Sequence, residues 1–95
     1  MPQVIWSHEA LDDLARLVNF LEEKSSPTAK KARKAIIEAT KIIEQFPESG
    51  KIIYENPKTW EVYAEFGRSA YVVRYRVKAN GNAVILRVWH GKENR

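Results

Sequence analysis

An α+β domain, with a helix hairpin packed on one face of a small and mainly antiparallel sheet, is the architecture this sequence predicts. Two observations predict it. Apolar residues recur at steps of three and four as far as Phe46, and at steps of two from Trp60 onward. Two turn signals, Gly67-Arg68 and Asn80-Gly81, then divide the second part into strands whose apolar positions match across both hairpins. At 95 residues the chain has room for one such domain, spanning 1–95.

The elements follow in order. Gln3-Val4-Ile5-Trp6 is short, apolar and β-branched, and reads as an opening strand. Ser7 is placed to cap a helix, with Glu9, Asp12 and Asp13 near its positive end. Leu11, Leu14, Val18 and Leu21 make the apolar face of that helix, which ends at Glu22-Glu23-Lys24. Ser26 then caps a second helix, with Pro27 in its first turn, where a missing N–H costs nothing. Ala32, Ile36, Ala39, Ile43 and Phe46 form its stripe, and Pro47 and Gly50 stop it. The short joint between the helices makes them an αα-hairpin. Lys51-Ile52-Ile53-Tyr54 reads as a strand, followed by a loop at Glu55-Asn56-Pro57-Lys58.

Three alternating strands complete the chain. Trp60, Val62, Ala64 and Phe66 share one face, as do Tyr71, Val73, Tyr75 and Val77, and Val84, Leu86, Val88 and His90. A two-residue turn at Asn80-Gly81, the strongest short hairpin signal, pairs Tyr75 with Leu86, Val73 with Val88 and Arg74 with Arg87. A two-residue turn at Gly67-Arg68 pairs Val62 with Val73, Ala64 with Tyr71 and Glu61 with Arg74. Both registers set apolar against apolar on one face. The expected order is β-α-α-β-β-β, with a three-stranded meander against the helices.

Composition narrows the function classes. With 44% hydrophobic and 29% charged residues the chain is globular rather than disordered. No apolar run approaches the ~18 residues of a membrane span, and the first residues lack a signal-peptide layout. A cytoplasmic protein without membrane association is expected. Having no Cys excludes disulfides and a thiol nucleophile, and with only two His no metal site and no cofactor are expected. The net charge of +4 is uneven: residues 1–50 sum to −1 and residues 51–95 to +5. The basic half is the sheet half, which suits an acidic partner or a merely soluble surface.

The sheet face away from the helices carries the informative residues. One cross-strand row reads Glu61, Arg74, Arg87, and Arg76 and Lys78 lie further along. Two arginines side by side repel, so the row is either a ladder neutralised by Glu61 or a site for an anionic partner. A second row reads Tyr63, Val72, Trp89. It is either an exposed partner patch or a surface shielded by the C-terminal tail or the 55–59 loop. Lys30-Lys31-Ala32-Arg33-Lys34 reads as a solvated helix face, and His8 as exposed and idle. His90, at the end of the last strand near Lys92 and Arg95, is either structural or a proton-transfer group.

Several segments together resemble the RelE/ParE toxin superfamily. They are Val4-Ile5-Trp6-Ser7 with Ala10-Leu11-Asp12-Asp13-Leu14, Ser26-Pro27 with Ala29, Phe46-Pro47 with Gly50-Lys51, Tyr71-Val72-Val73-Arg74-Tyr75-Arg76-Val77, and Ile85-Leu86 with Val88-Trp89-His90-Gly91-Lys92-Glu93. They run in order over nearly the whole chain. The resemblance implies the same fold and a toxin of a type II toxin–antitoxin, or plasmid stabilisation, module. A cognate antitoxin would hold it inactive by folding a disordered C-terminal segment around it.

The superfamily divides by mechanism. RelE-like and YoeB-like members cut mRNA on the ribosome, whereas ParE-like members poison DNA gyrase. The nucleases place an Arg where this chain has Val72, and the RelE lysines fall near Tyr63 and Glu65, neither of them basic. The late RelE Tyr has no counterpart up to Arg95, and no further C-terminal helix is expected. Only His90 matches a nuclease position, that of YoeB-like members. The resemblance therefore favours the ParE-like branch, with no catalytic residue. The alternatives are an mRNA endoribonuclease using Arg74, Arg76, Arg87 and His90, with ribosome and mRNA as partners, and a non-toxic antitoxin-binding relic. For the partner face the expected residues are Tyr63, Arg74, Arg76, Arg87, Trp89, Lys92 and Arg95, in a homodimer or a toxin–antitoxin hetero-oligomer.

Overall fold

Ser7 ends the first strand and starts the first helix. Its backbone is extended, its Oγ accepts the Ala10 N–H at 3.0 Å, and the same hydroxyl donates to the Leu86 carbonyl at 3.0 Å. The computed structural model describes residues 3–93. Its elements are β1 Val4–Trp6, α1 His8–Glu22, α2 Ser26–Gln45, β2 Lys51–Glu55, β3 Lys58–Phe66, β4 Ser69–Val77 and β5 Ala83–His90. The strands form one five-stranded sheet in the order β1-β5-β4-β3-β2. Only β1 runs parallel to its neighbour; the other pairs are antiparallel. The α+β architecture is as expected, and the strand read at residues 51–54, left out of the β-α-α-β-β-β order, is β2 and forms the sheet edge.

The helices bury a different selection of residues from the one anticipated. In α1 the buried positions are Ala10, Asp13 and Leu17, while Leu14, Val18 and Leu21 are half-buried and Leu11 is exposed. The line facing the sheet is shifted by about one residue, because small Ala10 allows close approach and Asp13 has partners on β5. The cap of α2 is Ser25 rather than Ser26: Ser25 is the extended residue, and its Oγ lies 3.4 Å from the Thr28 N–H. Ala29, Ala32, Ile36, Ala39 and Ile43 line the buried side of α2. Alanines there let the helix lie close to the sheet, while the isoleucines fill the space between. Phe46 is exposed, because its backbone has already left the helix at φ −134° and ψ 78°.

Between the layers sit Trp60, Ala64, Tyr71, Val73, Tyr75, Ile85 and Val88 from the sheet. Trp60 and Tyr75 stack at 5.7 Å. The Tyr75 hydroxyl reaches the α2–β2 connection, donating to the Pro47 carbonyl at 2.7 Å and accepting the Gly50 N–H at 3.1 Å. Gly50 is required there: a Cβ would come within 2.8 Å of the Glu61 carbonyl oxygen and of the Tyr75 hydroxyl.

The β3–β4 hairpin has the anticipated two-residue turn and register. Phe66 pairs with Ser69, Ala64 with Tyr71, Val62 with Val73 and Glu61 with Arg74, and Gly67 supplies the positive φ of 61°. The β4–β5 hairpin differs. Asn80 does not take a positive φ, so the type I′ turn does not form. Lys78 N–H instead donates to the Asn82 carbonyl, and Gly81, at φ 90°, closes a three-residue loop. Near the loop this shifts the pairing by one, so Tyr75 faces Ile85 rather than Leu86. A bulge at Leu86 restores the count, and Arg74–Arg87 and Val73–Val88 pair as anticipated. The inward-facing residues of β5 are thus Ala83, Ile85, Val88 and His90.

Candidate functional site

The helix-free face of the sheet carries most of the anticipated site residues. Each side chain is placed by strand alternation opposite the core positions. Glu61 on β3, Arg74 on β4 and Arg87 on β5 stand in one row, as pairing requires. Glu61 is buried, and its Oε2 accepts from Arg74 Nε at 2.9 Å and from Nη2 at 2.8 Å. The Arg74 guanidinium then lies over the Trp89 ring at 4.7 Å and faces Tyr54 at 5.7 Å. Arg76 donates to the Thr59 hydroxyl at 3.1 Å and remains exposed.

Arg87 takes a different partner. It contacts the Trp89 ring at 5.4 Å and reaches Asp13 of α1, with Nε–Oδ2 at 2.7 Å and Nη2–Oδ1 at 3.1 Å. Asp13 Oδ2 also accepts the Val88 N–H at 2.9 Å. The bulge at Leu86 marks where β5 passes from β1 to α1: Ser7 N–H bonds the Ile85 carbonyl, and beyond it Asp13 takes the next edge N–H. Burial pushes the Asp13 pKa up, but the hydrogen bonds from Arg87 and Val88 and the charges of Arg87 and Arg16 outweigh it and leave it below the ordinary 3.8. The two arginines of the row therefore have separate carboxylates, Glu61 and Asp13, instead of one shared anion.

His90 and Lys92 lie elsewhere. His90 pairs with Tyr71 and so points to the helix side, with its ring edge-on to Tyr71 at 5.4 Å. Its Nδ1 accepts the Lys92 N–H at 3.1 Å, and its own N–H bonds Glu93 Oε2 at 2.8 Å. Glu93 is also paired with Arg16 of α1. Burial raises the Glu93 pKa, but Arg16 and the His90 N–H overcome that and hold it below the usual range. Lys92 is exposed beside this cluster.

The structure brings Tyr63, Arg74, Arg76, Arg87 and Trp89 to one face or its rim, and separates His90 and Lys92 from them. Arg95 lies outside the described residues. The expected apolar patch is narrower than the row suggested. Tyr63 is 51% exposed, but Val72 is 2% and Trp89 9% exposed. Trp89 is a bed for the arginines, and alternation alone does not show that. Sequence reasoning also missed Asp13 and Arg16. Asp13 was legible in principle: it falls at helical spacing with Ala10 and Leu17, a carboxylate on a buried line that requires a cation.

Comparison with known proteins places this geometry. Residues 4–95 match the family described as the ParE toxin of type II toxin-antitoxin system, parDE. Toxin RelE1 of Caulobacter vibrioides is 34% identical over 93 residues, covering 97% of this chain and 96% of that protein. A solved chain of the chromosomal ParDE TA system from P. aeruginosa shares the fold with a TM-score of 0.77 at 23% identity, covering 97% of this chain and 98% of that one.

Proposed function

Because this chain belongs to the ParE toxin family of type II toxin–antitoxin systems, we propose that it arrests growth in the cytoplasm by binding and poisoning DNA gyrase, without nuclease chemistry of its own. One observation carries the non-enzymatic reading. His90, the one candidate proton-transfer group, points to the helix side, while Arg74 and Arg76 point to the other. RNA cleavage needs an acid, a base and cationic stabilisation around one phosphate. Arg74 and Arg87 are further committed to Glu61 and Asp13. The resemblance to the gyrase-directed branch supplies the target.

A cognate antitoxin is the partner that membership in this family brings. We place its contact on Tyr63, Arg74, Arg76, Arg87 and Trp89, with Lys92, apart from that face, and Arg95 as further contacts. The exposed Tyr63 and Tyr54 rings and the cations of Arg76 and Lys78 suit a segment mixing apolar and acidic residues.

Purified toxin should inhibit supercoiling by gyrase or trap its cleavage complex, and primer extension on translated mRNA should reveal no toxin-dependent cuts. Cuts that disappear in His90→Ala would refute the reading and establish the endoribonuclease. Absence of both activities, with harmless expression in the absence of antitoxin, would identify a relic.

A further inference from the structure

The outer side of α2 carries charge of two signs. From 26 to 37 the helix has no acidic residue and holds Lys30, Lys31, Arg33 and Lys34. All four are exposed, and none is in an ion pair among the described residues. They crowd the positive end of the helix dipole, and Lys34 repels Lys30 and Lys31 at spacings of four and three. An anionic surface laid against them relieves both costs. From 38 to 45 the sign reverses, with Glu38 and Glu44 against Lys41. Glu38 has a loose partner in Lys41 at 3.8 Å, and exposed Glu65 of β3 is in no ion pair among the described residues.

The acidic half borders an open groove of about 370 Å³ between α2 and β3. Ala35 and Ile42 line its helix side, Tyr63 and Ala64 its strand side, and Glu38 and Glu65 are the charged residues of its lining. Ile42 is 52% exposed. An occupant must bring cations together with apolar surface. The helix itself offers both on one line: Lys31, Ala35, Glu38 and Ile42 follow at steps of four, three and four, and so share one side of α2. A second α2 laid antiparallel brings its basic half to this acidic half and receives the converse, which is the self-complementarity a two-fold interface requires. A parallel arrangement would oppose like charges. The methylenes of Lys31 can cover Ile42 while its ammonium reaches a carboxylate.

We propose that two copies of this chain pair through α2, antiparallel about a two-fold axis, with Lys31 and Lys34 of each copy on Glu38 and Glu65 of the other and Ile42 covered in both. Sedimentation equilibrium of the purified full-length chain, free of antitoxin, tests it. The wild type should form a dimer that high salt weakens. Ile42→Glu should raise the dimer Kd about tenfold or more. Lys31→Glu with Lys34→Glu opposes like charges across the axis and should also raise it about tenfold or more. Adding Glu38→Lys and Glu65→Lys to that pair exchanges the two signs, leaves the net charge at +4 and should restore the Kd to within about threefold of wild type. All these positions are exposed, and circular dichroism checks folding; if Ile42→Glu does not fold, Ile42→Ser replaces it. A wild type that stays monomeric at ~100 μM, above the ~μM range of weak specific interfaces, would overturn the proposal. So would a dimer whose Kd is unchanged in both Ile42→Glu and the Lys31 and Lys34 variant, or a sign exchange that restores nothing. A monomeric toxin whose Ile42→Glu variant loses affinity for antitoxin would give the groove to that partner and likewise overturn it.

Discussion

Replacing Asp13 with Ala tests how α1 is held to the sheet. The carboxylate accepts three hydrogen bonds, from Val88 N–H, Arg87 Nε and Arg87 Nη2. Asp13 is buried, while the Arg87 side chain is 45% exposed. Hydrogen bonds to charged groups are worth ~1.5–3 kcal/mol when water cannot replace them. That applies in full to the Val88 N–H, which Asp13→Ala leaves without its acceptor at the edge of β5. The Arg87 bonds are largely replaced by water, so together they add only ~1 kcal/mol. The expected loss is about 2.5–4 kcal/mol, a large share of the ~5–15 kcal/mol that stabilises a domain. Asp13→Asn keeps an oxygen for Val88 and loses the charge, so it should cost only ~1–2 kcal/mol. Urea denaturation at pH 7, followed by circular dichroism, measures both. Asp13→Ala within ~1 kcal/mol of wild type at an unchanged m-value would refute the reasoning.

The same carboxylate sets a pH dependence. Its folded pKa lies below the ordinary 3.8. The unfolded chain therefore takes up the proton first as the pH falls, and stability falls with it. The contribution is complete above that ordinary value and disappears as the pH drops through the lower folded value. Asp13→Asn should flatten the acid limb of stability against pH, and an equally steep limb would contradict the assignment.

Three further substitutions address other joints. Tyr75→Phe leaves the Pro47 carbonyl and the Gly50 N–H without the hydroxyl that serves both, and should cost ~1–3 kcal/mol in urea denaturation; no loss would mean that water replaces it. Gly50→Ala forces a Cβ to within 2.8 Å of the Glu61 carbonyl oxygen and should destabilise by ~1–3 kcal/mol; a neutral effect would show that the connection yields. Trp89→Ala removes the bed under Arg74 and Arg87 and should weaken antitoxin binding by ~2 kcal/mol or more at a temperature where circular dichroism shows the variant folded; an unchanged Kd would reject the placement of the antitoxin on that face.

How much was legible depended on the range of the interaction. Ser7 as a cap, Pro27 in a first turn and the alternation of β3 and β4 are decided by neighbours in sequence. The β3–β4 register was legible because the two-residue turn at Gly67-Arg68 forms as its sequence suggests, with Gly67 taking the positive φ. Asn80-Gly81 carried a strong local signal for another tight turn, but the chain spends one more residue there and recovers the register at Leu86. The local preference lost because a bulge next to Ser7 and Asp13 lets β5 exchange one neighbour for another. Leu11 and Phe46 misled for a related reason: apolar spacing marks a helix, while the face it buries depends on what stands opposite.

The sequence by itself determined the two-layer architecture, the cross-strand rows of charge and the family, because periodicity and ordered motifs are properties of the chain. Only the tertiary structure decided that Arg87 belongs to Asp13, that Trp89 lies under arginines and that His90 sits across the sheet from Arg74. Those pairings join residues far apart in the chain, and the path of the backbone, bulge included, chooses among partners that are chemically equivalent.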